Sequence, residues 1–160
     1  MIENTDLSVL VEPTLTWYGA NKRDLPWRKD KDPYHIWVSE IMLQQTRVEA
    51  VIPYYERFMA ALPTIEALAK CQEDPLLKLW EGLGYYNRVR NMQKAAQTIC
   101  ADYGGQMPQT YEEIVSLSGI GPYTAGAIAS IAFGERVPAV DGNVLRILSR
   151  VSQDDSDILK

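Results

Sequence analysis

Helix-start punctuation constrains this chain more than any other feature. Asp32-Pro33, Thr64, Asp74-Pro75, Thr110 with Glu113 three residues on, and Asp141 each stand just ahead of an apolar run. A short polar side chain there accepts a bond from an orphan N–H of the first turn. A proline just inside the helix loses no bond, because its missing N–H had no partner. The spacing predicts helices over about 33–45 and 48–61, the latter kinked at Pro53, then two short helices capped by Thr64 and Asp74. An amphipathic helix over 87–103 is stopped by Gly104-Gly105. A capping box at Thr110 and Glu113 opens a further helix, and two more follow over about 122–133 and 142–151. Period-two alternation is confined to Val137–Val140. The expected fold class is all-α.

Hydrophobic residues make up 46% of the 160 and charged residues 23%, which excludes a mainly disordered chain. The longest apolar stretches, such as Ala125 to Phe133, fall far short of the ~20 residues of a membrane helix, so no membrane partner is expected. No basic segment followed by an apolar one opens the chain. Cys71 and Cys100 are too few for a disulfide framework or a four-cysteine metal site, and a reducing, cytoplasmic location is expected. The net charge of −5 argues against a nucleic-acid partner at first sight. However, residues 1–12 hold three acids and no base, and residues 152–160 three acids and one base; the intervening body holds 15 of each. Affinity for DNA follows the local field, which a neutral body can still supply.

The strongest local signal is Leu117-Ser118-Gly119-Ile120-Gly121-Pro122-Tyr123-Thr124-Ala125. Two helices joined through Gly-apolar-Gly bring N–H groups to the start of the second helix, where glycines let a phosphate approach backbone. The same string also serves as a plain tight turn. Asp141-Gly142-Asn143 offers a carboxylate at a helix start, which is an ordinary cap or an anion placed to stabilise a developing cation. Glu40 lies in the otherwise apolar Ile36–Leu43 stretch. It reads as a charge at the edge of a helix face, or as a desolvated carboxyl able to donate a proton. Two carboxyls in contrasting surroundings suit glycosidic cleavage.

Residues 117–125 followed by Val140-Asp141-Gly142-Asn143 resemble the signature of the helix-hairpin-helix DNA glycosylases. Leu25-Pro26-Trp27-Arg28, Ser39-Glu40-Ile41-Met42-Leu43-Gln44-Gln45-Thr46 and Gly82-Leu83-Gly84-Tyr85-Tyr86-Asn87-Arg88 narrow the resemblance to the MutY-type adenine DNA glycosylases. It runs from about Trp17 to Val151. The resemblance implies hydrolysis of the N-glycosidic bond of adenine mispaired with 8-oxoguanine or guanine, with double-stranded DNA as partner and a bacterial, nucleoid-associated setting. Glu40 matches the catalytic acid, Asp141 the stabiliser of the cationic sugar, and Asn143 its orienting neighbour. Tyr123 stands where glycosylases with lyase activity place a lysine. A phenol forms no imine, so a monofunctional hydrolase is implied.

Adenine must leave the duplex to be reached. Gln45 and Tyr85 match the family's wedge residues, with Leu43 assisting. Trp27 and Arg28 match residues lining the adenine pocket. Arg47, Arg88 and the hairpin glycines Gly119 and Gly121 are candidate DNA contacts, as is Arg90. The resemblance adds a candidate monovalent cation at the backbone carbonyls of Val115, Leu117 and Ile120.

Family members usually carry proline where Ser118 stands. They also carry a four-cysteine [4Fe–4S] cluster beyond the last matched helix, and then a domain that reads 8-oxoguanine; this chain contains neither. The expectation is a truncated catalytic domain without a cofactor of its own, broken off where residues 156–159 begin a helical pattern, and of weak or no activity alone. The expected architecture is a barrel-like six-helix domain over 30–135, with the hairpin at about 111–132 and an incomplete second layer from 5–25 and 136–160. Loss of the neighbouring helices would leave an apolar patch, and the oligomeric state stays open. Rival readings are a DNA-binding helix-hairpin-helix module without activity, and a glycosylase/lyase, which Tyr123 opposes.

Overall fold

The structure, a computed structural model, describes residues 7–154 and 156. All regular structure among them is helical: α1 (Val11–Asn21), α2 (Pro33–Leu43), α3 (Val48–Ala61), α4 (Ile65–Lys70), α5 (Glu73–Trp80), α6 (Asn87–Asp102), α7 (Tyr111–Val115), α8 (Pro122–Phe133) and α9 (Gly142–Ser152), with 3₁₀ turns at Leu7–Leu10 and Pro26–Arg28. The chain divides into two compact units. One is Leu25–Ala139, holding α2 to α8; the other is formed by the segments on either side of it.

Within Leu25–Ala139, α2 is the central helix. Tyr34, Ile36, Trp37, Val38, Ser39, Ile41 and Met42 are all buried, so it is covered on nearly every face. It packs on α3 and α8; α4 packs on α6, α5 on α3 and α6, and α7 on α8. Phe58 and Trp80 meet edge to face at 6.0 Å between centroids, and both are fully buried. Removing either ring would cost about 3–5 kcal/mol. Gln93 of α6 donates its side-chain amide to the carbonyls of Leu68, which also accepts from the Cys71 N–H, and of Cys71 just past the end of α4. In α8, a Cβ on Gly126 would come within 2.2 Å of the Pro138 carbonyl, so glycine lets the connector after α8 cross that helix.

The caps follow local chemistry. Asp32 accepts from the N–H of Tyr34, Thr64 from that of Ala67, and Thr110 with Glu113 forms the reciprocal box. Asp74 is a correction: it lies inside the first turn of α5, whose N-cap is Gln72 with no side-chain bond. The acid serves the positive end of the helix from within. Helix α2 ends at Leu43, two residues before the expected Gln45, because Gln44 leaves the helical region with ψ 113° and Gln45 follows at a left-handed φ of 59°. Seven helices stand in this unit, rather than about six. The Val137–Val140 connector forms no strand.

In the other unit, α1 buries none of its residues, and Val11, Leu15 and Trp17 are well exposed. Helix α9 is strongly one-sided, with Leu145, Ile147, Leu148 and Val151 exposed. The helical pattern expected at 156–159 lies outside the described residues beyond Ser156, as do residues 5 and 6 of the expected second layer.

Candidate functional site

The candidate side chains gather at helix ends. Glu40 sits in the last turn of α2 and is half-buried, less enclosed than the apolar stretch around it suggests. Ser39 beside it is buried, and its hydroxyl donates back to the Ile36 carbonyl at 2.7 Å. Just beyond, Leu43 is half-buried, while Gln45 and Arg47 are exposed.

Gln45 and Tyr85 share an unusual backbone. Their φ angles are 59° and 47°; Gln153 is the one other described non-glycine residue with positive φ. Tyr85 is 68% exposed, so burial of its ring does not compensate for the strain. Gly82 and Gly84 flank Leu83 with φ of 104° and 69°, and a Cβ on Gly82 would overlap the Tyr54 hydroxyl. The turn before α6 therefore requires both glycines, while Leu83 is buried between them.

Arg88 ties these two segments together. Its Nη1 donates to the carbonyls of Ile41 at 2.8 Å and Gln44 at 2.7 Å, and its Nη2 to those of Leu83 at 2.9 Å and Gly84 at 3.3 Å. Each Nη carries two hydrogens, so all four are in use. The guanidinium also lies over Trp80 at 5.4 Å and Tyr85 at 5.6 Å from the ring centroids. Trp80 Nε1 donates to the same Gly84 carbonyl at 3.1 Å. Arg88 Nε is buried without a partner, at a cost of about 1–3 kcal/mol that the four charged bonds offset. Arg88 is thus a correction: its guanidinium is engaged with protein carbonyls and is not placed to hold a DNA phosphate. Arg90 likewise has a protein partner, Glu73, at 2.8 Å.

At the hairpin, Gly119 has φ 75°, and a Cβ there would meet the Asn91 Cβ at 2.6 Å. Gly121 has φ −88° and ψ 173° and open space around it. Both are exposed, and neither N–H donates to a backbone carbonyl. Pro122 occupies the first position of α8, and Tyr123, 37% exposed, the second. Of the carbonyls proposed for a cation, that of Leu117 accepts from the Ile120 N–H at 3.2 Å; a carbonyl has a second lone pair, so this leaves it able to ligate.

Trp27 is buried edge-to-face against Tyr55, 5.2 Å between centroids, and Arg28 next to it is exposed. The structure places Trp27 in the core, with Arg28 at the surface.

Asp141 and Asn143 belong to the other unit. Asp141 Oδ1 accepts from the N–H groups of Asn143 at 2.9 Å and Val144 at 2.8 Å, and its Oδ2 accepts from Asn143 Nδ2 at 2.9 Å. Arg146, one turn on, donates to Asn143 Oδ1. The Val144 N–H above all, with Asn143 and Arg146 assisting, holds the Asp141 pKa below its ordinary value against the opposing effect of burial. The carboxylate stays an anion and keeps one acceptor position on Oδ2. Arg146 was not among the expected residues; its i+3 spacing from Asn143 was the available signal.

The chain has two cysteines, each half-buried, against the four thiolates that a [4Fe–4S] cluster takes. Its residues do not fit that group. No cluster of three or more metal-ligating side chains occurs among the described residues. No helix among them is long and apolar enough to cross a membrane.

Residues 38–159 match the HhH-GPD superfamily of base excision DNA repair proteins. The chain is 46% identical to the adenine DNA glycosylase of Rattus norvegicus, over 95% of its own length and 31% of the relative's. It is 48% identical to the adenine DNA glycosylase of Buchnera aphidicola subsp. Acyrthosiphon pisum (strain APS), over 85% and 39%. It therefore spans less than half the length of these curated relatives. Among solved structures, a thermostable thymine-DNA glycosylase superposes with a TM-score of 0.83 at 31% identity, over 89% of this chain and 66% of that one. Endonuclease III in a non-covalent complex with DNA gives 0.83 at 22% identity, over 99% and 74%, a likeness of fold.

Proposed function

The chain belongs to the HhH-GPD superfamily of base excision DNA repair proteins, and on that premise we propose that it hydrolyses the N-glycosidic bond of adenine mispaired with 8-oxoguanine or guanine in DNA. The observation that carries the reading is the pair Gln45 and Tyr85, both exposed and both on left-handed backbone. Strain of this kind persists where a function uses it. In this reading the two side chains enter the duplex and replace stacking lost when adenine is extruded.

Glu40 protonates the extruded base, converting adenine into a competent leaving group, and then assists attack by water. The sugar gains oxocarbenium character. Asp141, held as an anion by the start of α9, stabilises that charge through its remaining Oδ2 position, with Asn143 fixing the carboxylate plane. The Gly119 and Gly121 N–H groups take a phosphate of the same strand. Tyr123 offers no amine, which leaves water as the nucleophile and no backbone cleavage.

The test is single-turnover adenine release from duplexes carrying adenine opposite 8-oxoguanine, guanine or thymine, with Glu40→Gln as the blank. Release from the first two above the blank, and none opposite thymine, is the expected result. DNA binding with release no faster than the blank would favour the rival, a binding module without activity.

A further inference from the structure

We propose that Arg88 is a positioning residue for base extrusion, fixing from a single guanidinium the backbone of both side chains that enter the duplex. The inference rests on the glycosylase reading above. Its geometric basis is where the four bonds fall. The Gln44 carbonyl belongs to the peptide unit that ends at the Gln45 nitrogen, and the Gly84 carbonyl to the unit that ends at the Tyr85 nitrogen. Pinning a peptide plane by its oxygen sets the starting frame for φ of the next residue. Arg88 therefore holds the plane immediately before each of the two left-handed residues, at 2.7 Å and 3.3 Å.

The remaining two bonds widen the grip. Ile41 follows Glu40 directly, so its bond ties the end of α2 to the same clasp, and the Leu83 bond anchors the glycine-flanked turn. The Gly84 carbonyl is held twice, by Arg88 and by Trp80 Nε1. The acceptors Ile41 and Gln44 lie 47 and 44 residues before Arg88 in the sequence, and among the described residues no other hydrogen bond ties 41–46 to the 82–88 segment. A free loop would have to reach the left-handed conformations at both sites against strain each time DNA bound. The clasp holds them there beforehand, which removes that ordering step from binding.

Lysine cannot substitute. Its ammonium has three hydrogens around one point, whereas four carbonyls are spanned here by a planar fork. The experiment compares the unmodified chain with Arg88→Lys and Arg88→Met by three readouts. Amide exchange should accelerate at least tenfold in 43–46 and 82–86 of both variants, with the amides of α6 unchanged. A 2-aminopurine placed opposite guanine should lose most of its fluorescence rise on binding. Single-turnover release should fall at least tenfold for adenine paired opposite guanine, but by no more than about threefold for an unpaired adenine that needs no extrusion.

Equal loss on both substrates, or unchanged loop exchange in a folded variant, would overturn the proposal. So would failure of both variants to melt cooperatively, which would make Arg88 a general structural residue. An unmodified chain that neither extrudes nor releases the base would sink the glycosylase reading and this role with it. If the unmodified chain is active and the variants match it, the clasp proposal alone fails.

Discussion

The two hairpin glycines separate folding from binding. Gly119→Ala forces an L side chain to φ 75°, costing about 1–2 kcal/mol. Its new Cβ would also stand 2.6 Å from the Asn91 Cβ, an atom no rotamer can move aside, adding about 1–3 kcal/mol of overpacking. The expected loss is about 2–5 kcal/mol, a large part of the stability of a chain this size. Gly121→Ala meets nothing within 4 Å at an extended φ of −88°. Alanine reduces unfolded-chain entropy but caps a helix less well than glycine, and these effects of a few tenths to about 1 kcal/mol offset each other. What Gly121→Ala does change is the surface: a methyl group now stands where a phosphate would approach the backbone. Urea melts of both variants should show a large loss for Gly119→Ala and almost none for Gly121→Ala. Duplex binding by Gly121→Ala should be weaker than that of the unmodified chain at each salt concentration, since the lost contact is a neutral N–H rather than a cation. A Gly121→Ala protein with unchanged affinity would refute the phosphate role, and a stable Gly119→Ala protein would refute the packing argument.

Tyr34 and Tyr55 should resist ionisation through the alkaline range, because burial raises both phenols well above their ordinary value, further aided by nearby acids. Their stabilisation is complete below the unfolded value of about 10 and is lost as pH rises above it, so absorbance at 295 nm should show two tyrosines titrating together with alkaline unfolding. Borohydride should trap no covalent adduct of this chain with nicked or abasic DNA through position 123, since Tyr123 has no amine; a trapped adduct lost in Tyr123→Phe would be the contrary result. Asp141→Asn should leave the melting midpoint almost unchanged, because asparagine caps as well as aspartate, while adenine release falls at least a hundredfold. In the unmodified chain the Asp141 contribution to stability is present above the ordinary aspartate value of about 3.9 and is lost as pH falls below it, through the lowered folded value.

Helix starts were legible where one side chain and one nearby N–H decide them. Asp32, Thr64, Thr110 and Asp141 all cap as their sequence context predicts. Asp74 was misread because an acid followed by proline fits both a cap and a first turn, and two residues of register separate them. The role of Arg88 was not legible, since its acceptors are backbone carbonyls, which every residue possesses, brought close by packing across 44 and 47 residues of chain. Which of the two readings of Glu40 holds was not legible for a similar reason. An apolar stretch reports its average surroundings, whereas Glu40 is half-buried in a turn whose Ile41 and Met42 are enclosed, so its exposure is set by the helix face it occupies.

Every side chain assigned a role in the reaction stands at a helix end or in the loop beyond one. Glu40 is in the last turn of α2, Gln45 just past it and Tyr85 just before α6. Gly121 and Tyr123 open α8, and Asp141 caps α9. Helix ends are where a folded chain keeps backbone groups unsatisfied and where the macrodipole is felt, so they are the places with free N–H groups for a polyanion and with carbonyls for an internal cation to grip. The interiors of α2, α6 and α8 supply the opposite: buried apolar contacts that leave no freedom to move. Gln45 and Tyr85 thereby stand in loops that start or end on well-packed helices, α2 and α6. Arg88 extends that rigidity into the loops themselves, using the carbonyls that the end of α2 and the turn before α6 leave open.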